Sequence, residues 1–128
     1  MAERTFSIVR KTRGTLPRVP FLRLKEAILG KSYDLSLAFV GPKESRLLNR
    51  ECRKKDKPAN VLSFPLSAQS GEIVLCLSEA RRGAPAHGLS YRAFVGLLFI
   101  HGALHLKGLD HGSRMEKKER AFRARFLR

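Results

Sequence analysis

Acidic residues are few in this chain beside its basic ones. Its 128 residues hold 11 Asp plus Glu against 26 Lys plus Arg, for a formal net charge of +15 and a pI near 10.9. A surplus that large is a statement about partners: nucleic acid first, an anionic membrane second, with a merely soluble basic protein as the plain alternative. Cysteine is scarcer still, with two. Cys52 and Cys76 form no C-x-x-C pair, which argues against a zinc knuckle or a dithiol redox motif. Cys76 lies in an apolar run and is expected to be a buried thiol, a usage that fits a reducing cytoplasm. Long hydrophobic runs are missing too. The longest, AFVGLLFI at 93–100, is too short to span a bilayer. The opening MAERTFSIVRKTRG is charged throughout and has no apolar signal core. These absences lead to the expectation of a soluble, cytoplasmic protein with no membrane partner. No internal repeat, low-complexity tract or interdomain linker occurs either. Residues 1–128 therefore read as one domain, large enough for a core without staples. A hydrophobic content of 43% is that of a globular chain.

What is present alternates strand and helix signals. RTFSIV (4–9) can alternate as a strand, and a loop rich in Arg, Gly and Pro follows it. PFLRLKEAILG (20–30) opens on Pro and closes on Gly, the usual asymmetry of helix ends. YDLSLAFV (33–40) is a strand stopped by Gly41-Pro42. KESRLLNRECR (43–53) has helix formers, with Leu47, Leu48 and Cys52 at helical spacing. NVLSFPL (60–66) reads as a strand, AQSG (68–71) as a turn, and EIVLCL (72–77) as a buried central strand. SEARRGAPAHG (78–88) begins as a helical turn and breaks at Gly83 and Pro85. Ser90 is an N-cap for a helix over 91–107, apolar on nearly all sides and so expected to be buried. A last helix covers 113–127. The expected fold is α/β (α+β): a small mixed sheet of about four strands with helices packed against it, one of them a buried metal-binding helix.

Three of the four histidines fall within HGALHLKGLDH, residues 101–111. His101 and His105 are i and i+4 on the buried helix, about 40° apart around its axis and about 6 Å along it, so both rings leave one face. Gly108 can take a left-handed turn that a residue with a Cβ adopts only at a cost, and the turn can bring His111 back to the pair. Three neutral imidazoles suit Zn2+ and leave a fourth position open for water or substrate. The alternative is a histidine cluster without metal. His87, in the Pro/Gly-rich segment, has no such company and reads as an exposed loop residue. The ligand spacing is shared with metzincin-type zinc endopeptidases, but these need Glu directly after the first His as the base. Here that residue is Gly102, which offers no base and is expected to leave room for a bulky substrate.

A second informative stretch is LNRECRKKDKPANVLSFP, residues 48–65. Arg50, Arg53, Lys54, Lys55 and Lys57 make a dense basic patch. Asn60 and Ser63 add hydrogen-bonding groups beside a strand whose edge can guide an extended polyanion. A solvated loop face is the competing reading of the charge run.

The two stretches together resemble the YbeY family, single-domain metal-dependent endoribonucleases of bacterial ribosomal RNA maturation. The family pattern H-G-x-L-H-L-x-G-x-D-H is matched from His101 to His111 at every fixed position. The upstream block is matched by Leu48, Asn49, Arg53, Asp56, Pro58, Asn60 and the run from Val61 to Pro65. The likeness covers about residues 35 to 118. Ala59 departs from it, standing where Thr is usual, as do the short 65–71 connection and Glu72 in place of Asp. The resemblance implies one zinc held by His101, His105 and His111, with Arg53 as the functional arginine. It also implies single-stranded ribosomal RNA as substrate, with roles in small-subunit 3′-end processing and ribosome quality control. Small-subunit ribosomal proteins are the further partners it suggests, and DNA is not expected. Asp110, beside a ligand, is expected to receive an imidazole N–H rather than to act as the base. Two other functions stay open at this point: an RNA-binding assembly factor whose metal only shapes the fold, and a zinc hydrolase of another substrate, disfavoured by Gly102.

Overall fold

The central strands explain the architecture, because they are the segments with apolar residues on both faces. In the computed structural model, which describes residues 5–13 and 15–127, four strands form one mixed sheet in the order β1-β2-β4-β3. They are β1 (Phe6–Arg10), β2 (Asp34–Phe39), β3 (Val61–Ser67) and β4 (Ser70–Leu75). β2 lies parallel to both β1 and β4, and β3 returns antiparallel to β4. Leu35, Leu37, Phe39, Ile73 and Leu75 point to one face and are almost fully buried. Ala38, Val40, Leu62 and Val74 form a smaller core on the other. A continuous apolar run is the signature of such a doubly covered strand.

Five helices cover these faces: α1 (Phe21–Leu29), α2 (Pro42–Arg53), α3 (Leu77–Gly83), α4 (Tyr91–Leu106) and α5 (Ser113–Phe126). A 3-10 turn, Ala84–His87, joins α3 to α4. α4 is the centre of the larger core, packing on β3 and β4 and touching α1, α3 and α5. This explains its lack of a polar face: Phe94, Val95, Leu98, Phe99, Ile100, Ala103 and Leu104 are all buried. Phe21 of α1 meets Phe39 of β2 and Phe99 of α4 edge-on, at centroid distances of 5.8 and 5.1 Å, tying sheet and helices together. Removing a side chain such as Phe99 costs about 3–5 kcal/mol. α2 lies over the smaller core through Leu48.

The expected α/β fold of four strands and packed helices is the observed one. Differences sit at element ends. β4 begins at Ser70, because Ser67 and Ser70 pair across the hairpin and draw part of the expected turn into the sheet. It stops at Leu75, since Leu77 already opens α3, with Cys76 as the buried cap residue. The expected first strand over 4–9 appears as Phe6–Arg10, and its residue 4 lies outside the described residues. No single helix among the described residues is long and apolar enough to cross a membrane.

Candidate metal centre

The helix that carries His101 and His105, α4, is positioned at both ends by local chemistry. Ser90 caps its start, its hydroxyl oxygen accepting from the Ala93 N–H at 3.2 Å. At its end Gly108 takes φ +104°, and the Gly108 and Leu109 N–H groups bond back to the carbonyls of His105 and Leu104. The turn swings His111 over the pair. Ring centroids lie 4.6 Å apart for His101 and His105, 4.9 Å for His101 and His111, and 4.7 Å for His105 and His111. One nitrogen from each ring lies within 4.8 Å of the others. His101 and His105 are half-buried and His111 is exposed, so the triad faces outward on one side.

Donor chemistry shows that these residues fit a divalent metal. The Nε2 atoms of His101 and His105 are 3.2 Å apart. Two nitrogens at about 2.05 Å from a tetrahedral zinc would be separated by about 3.3 Å. His101 Nδ1 lies 2.7 Å from Glu119 Oε2, so Nδ1–H donates to the carboxylate and the Nε2 lone pair is left facing inward. Facing lone pairs at this distance need a proton or a cation between them. Burial first, then the neighbouring His101 and His111, holds His105 below the usual histidine range, despite opposing contributions from Leu109 and Asp110. A neutral imidazole is the form that ligates.

Glu119 was not visible in the sequence reading, which assigned its role to Asp110. Asp110 is exposed, and among the described residues it makes no hydrogen bond to a histidine. The carboxylate that orients a ligand ring comes instead from α5. Gly102 also departs from expectation. A Cβ built there would lie 2.9 Å from Ser63 Oγ and 3.4 Å from two Ile73 carbons, so the space is filled by the sheet and no room is left for substrate. Ser63, expected on the RNA path, donates its hydroxyl hydrogen bond to the Gly102 carbonyl at 3.1 Å and so ties β3 to α4.

The triad opens into a cleft of about 720 Å³ that also takes in Arg53, Asn60, Ser63, His87, Phe94 and Glu119. Arg53 is exposed at the end of α2 and makes no ion pair among the described residues. It also borders a second cavity of about 490 Å³, with Asn49, Lys55, Lys57, Asn60 and Arg82. The basic loop is therefore shaped rather than loose. Buried Ser45 accepts from the Ala59 N–H at 2.9 Å and donates to its carbonyl at 2.6 Å, and Asn49 donates to the Lys57 carbonyl at 2.8 Å. Asn49 Oδ1 is buried and has no partner among the described residues. Lys54 caps α2 in the left-handed conformation at φ +57°. Arg50 lies 4.0 Å from Asp56, which Arg46 holds with two hydrogen bonds of 2.8 and 3.0 Å. Of the expected RNA-path residues, Lys55, Lys57, Asn60 and Ser63 thus line one or other of these two cavities, whereas Arg50 and Lys54 line neither. His87 is exposed as expected but has company: its ring stacks on Phe94 and borders the metal cleft.

A small α/β protein with an outward-facing three-histidine centre, set in a cleft bordered by a free arginine, is the class this geometry defines. Comparison with known proteins narrows it: the chain belongs to the YbeY family, described as endoribonuclease YbeY, whose family model matches residues 10–126. A relative from Campylobacter jejuni named endoribonuclease YbeY is 41% identical over 108 residues, covering 78% of this chain and 80% of that protein. Another of that name from Methylibium petroleiphilum is 36% identical over 116 residues, covering 88% and 76%. A Thermotoga maritima protein solved in solution superposes with a TM-score of 0.62 at 27% identity, covering 91% of this chain and 85% of that one.

Proposed function

We propose that this protein is a zinc-dependent endoribonuclease that cleaves single-stranded ribosomal RNA, with His101, His105 and His111 as the metal ligands. The observation that carries the reading is the opening of the three-imidazole centre into the cleft that Arg53 borders. Family membership supports RNA as the substrate class, and the charge of +15 supports a polyanion. When bound, the metal would supply Lewis acidity toward a phosphoryl oxygen. The protein's own groups do the rest. Glu119 fixes the tautomer and orientation of His101. Arg53 offers a planar fork to two phosphate oxygens. Lys55 and Lys57, on a loop held by Ser45 and Asn49, attract and align the strand.

The reading extends to maturation of the small-subunit RNA 3′ end and to ribosome quality control in the cytoplasm, with small-subunit proteins as neighbours. The test is incubation of purified wild type and His105→Ala with single-stranded ribosomal RNA, with zinc and with chelator. Cleavage by wild type with zinc alone is expected. RNA left intact by zinc-loaded wild type, but bound with the same affinity in zinc and in chelator, would instead identify an RNA-binding assembly factor.

A further inference from the structure

The fourth histidine has a setting that neither the metal centre nor the basic loop explains. His87 ends the 3-10 turn before α4, and Gly88 breaks the turn at φ +66°. Its ring lies 4.6 Å from the ring of Phe94, with the planes 24° apart. Phe94 is only 2% exposed and is fixed in the core, whereas His87 is exposed. One face of the imidazole is therefore backed by a rigid aromatic, and the ring borders the cleft that holds the three ligand histidines and Arg53. His87 is not a member of the three-imidazole cluster itself.

We propose that His87, supported by Phe94, is a stacking platform for a nucleobase of the RNA strand, adjacent to the phosphate held at the metal centre. The proposal rests on the reading of the cleft as an RNA-cleaving site and names a base-binding residue within it. The cleft offers both chemistries of a nucleotide: a cation in Arg53, and apolar surface in Phe64, Pro65 and Leu97, which line it together with the stacked pair. Flat heteroaromatic faces bind any base, because stacking uses the π-face and not the hydrogen-bonding edge. Such a platform selects for strandedness, since a base inside a duplex is already stacked on its neighbours and cannot reach it.

The chain contains no tryptophan, so His87→Trp installs a single tryptophan at the platform, excited selectively over the two tyrosines. Its emission is titrated in zinc-loaded protein with a short oligoadenylate and with an abasic ribose-phosphate oligomer of equal length, and again in chelator. Quenching by the oligoadenylate and not by the abasic oligomer is expected. In cleavage assays His87→Ala should raise KM roughly 5- to 150-fold, the range for one lost base stack, with kcat nearly constant. His87→Phe should restore KM. An unquenched tryptophan together with a KM indifferent to His87→Ala would overturn the platform. So would a His87→Phe variant as impaired as His87→Ala with a fall in kcat, which would make His87 a proton-transfer group. If wild type cleaves no RNA yet the tryptophan is quenched by bases alone, the platform stands and the nuclease reading falls.

Discussion

Removing the Glu119 carboxylate should loosen the metal without unfolding the protein. The side chain of Glu119 is 15% exposed and that of its partner His101 is 25% exposed, and their 2.7 Å hydrogen bond lies at the junction of α4 and α5. Loss of a carboxylate behind a ligand histidine costs about 10- to 100-fold in metal affinity, equivalent to about 1.4–2.7 kcal/mol. Two features place Glu119→Ala at the upper end. The bond is short, and the partly screened pair has no second acceptor for His101 Nδ1 among the described residues. Glu119→Gln keeps an oxygen in place and loses only the charge, so about tenfold is expected. Asp110→Ala should change affinity by less than about threefold, because among the described residues Asp110 makes no hydrogen bond to a histidine ring and an exposed charge is well screened. Competition against a chromophoric zinc chelator at pH 7.5 measures all three, with circular dichroism confirming the fold. Wild-type affinity in Glu119→Ala, or an equal loss in Asp110→Ala, would refute the assignment of the ring-orienting carboxylate to α5.

Other consequences follow from the same geometry. Arg53→Lys keeps the charge and loses the planar fork, so single-turnover cleavage should fall about 10- to 1000-fold with RNA affinity nearly unchanged. In chelator, thermal stability should decline as pH falls below about 6.5. The folded state holds His105 neutral, so the unfolded chain takes up its proton first and gains the advantage on acidification. Melting curves of wild type and His105→Gln from pH 8 to 5 check this, and a decline of equal size in both would assign the effect elsewhere. Ser45→Ala removes both of the hydrogen bonds made to Ala59 and should cost about 1–3 kcal/mol. Protease cleavage within 54–60 should accelerate. Neutralising Arg120, Arg123 and Arg125 on α5 should flatten the dependence of RNA binding on salt, whereas an unaltered slope would remove this helix from the RNA path.

What could be read from the sequence was what depends on neighbours in the chain. His101 and His105 face one way because a helix repeats every 3.6 residues, and Gly108 marks the turn that returns His111. The apolar run 72–77 announced an inner strand because both faces of that strand are covered. What could not be read depends on contacts between distant segments. Glu119 reaches His101 only through the packing of α5 on α4, and no local spacing relates residues 18 apart on two helices. Ser63 and Gly102, 39 residues apart, meet because β3 lies against α4. Ser45 and Asn49 look like ordinary surface positions of a polar helix, yet both are buried as the posts of the basic loop. His87 gained its partner nearer by, from a phenylalanine in the first turn of the following helix, once the chain had bent at Gly88.

Gly102 gives this packing a meaning for the history of the fold. A single nucleotide change in a glycine codon can create glutamate, and glutamate after the first histidine is the base that zinc endopeptidases require. In this protein that mutation would drive a side chain into Ser63 Oγ and Ile73. Overpacking of this kind costs about 1–3 kcal/mol even for added methylenes, and a carboxylate pressed against a covered sheet face costs more. The step from this scaffold to such a residue is short in the genetic code and opposed by the packing: Ser63 Oγ would have to turn away and give up its bond to the Gly102 carbonyl. The interlocking of Ser63 with Gly102 therefore keeps the three-histidine helix committed to chemistry that draws its polar groups from elsewhere in the cleft.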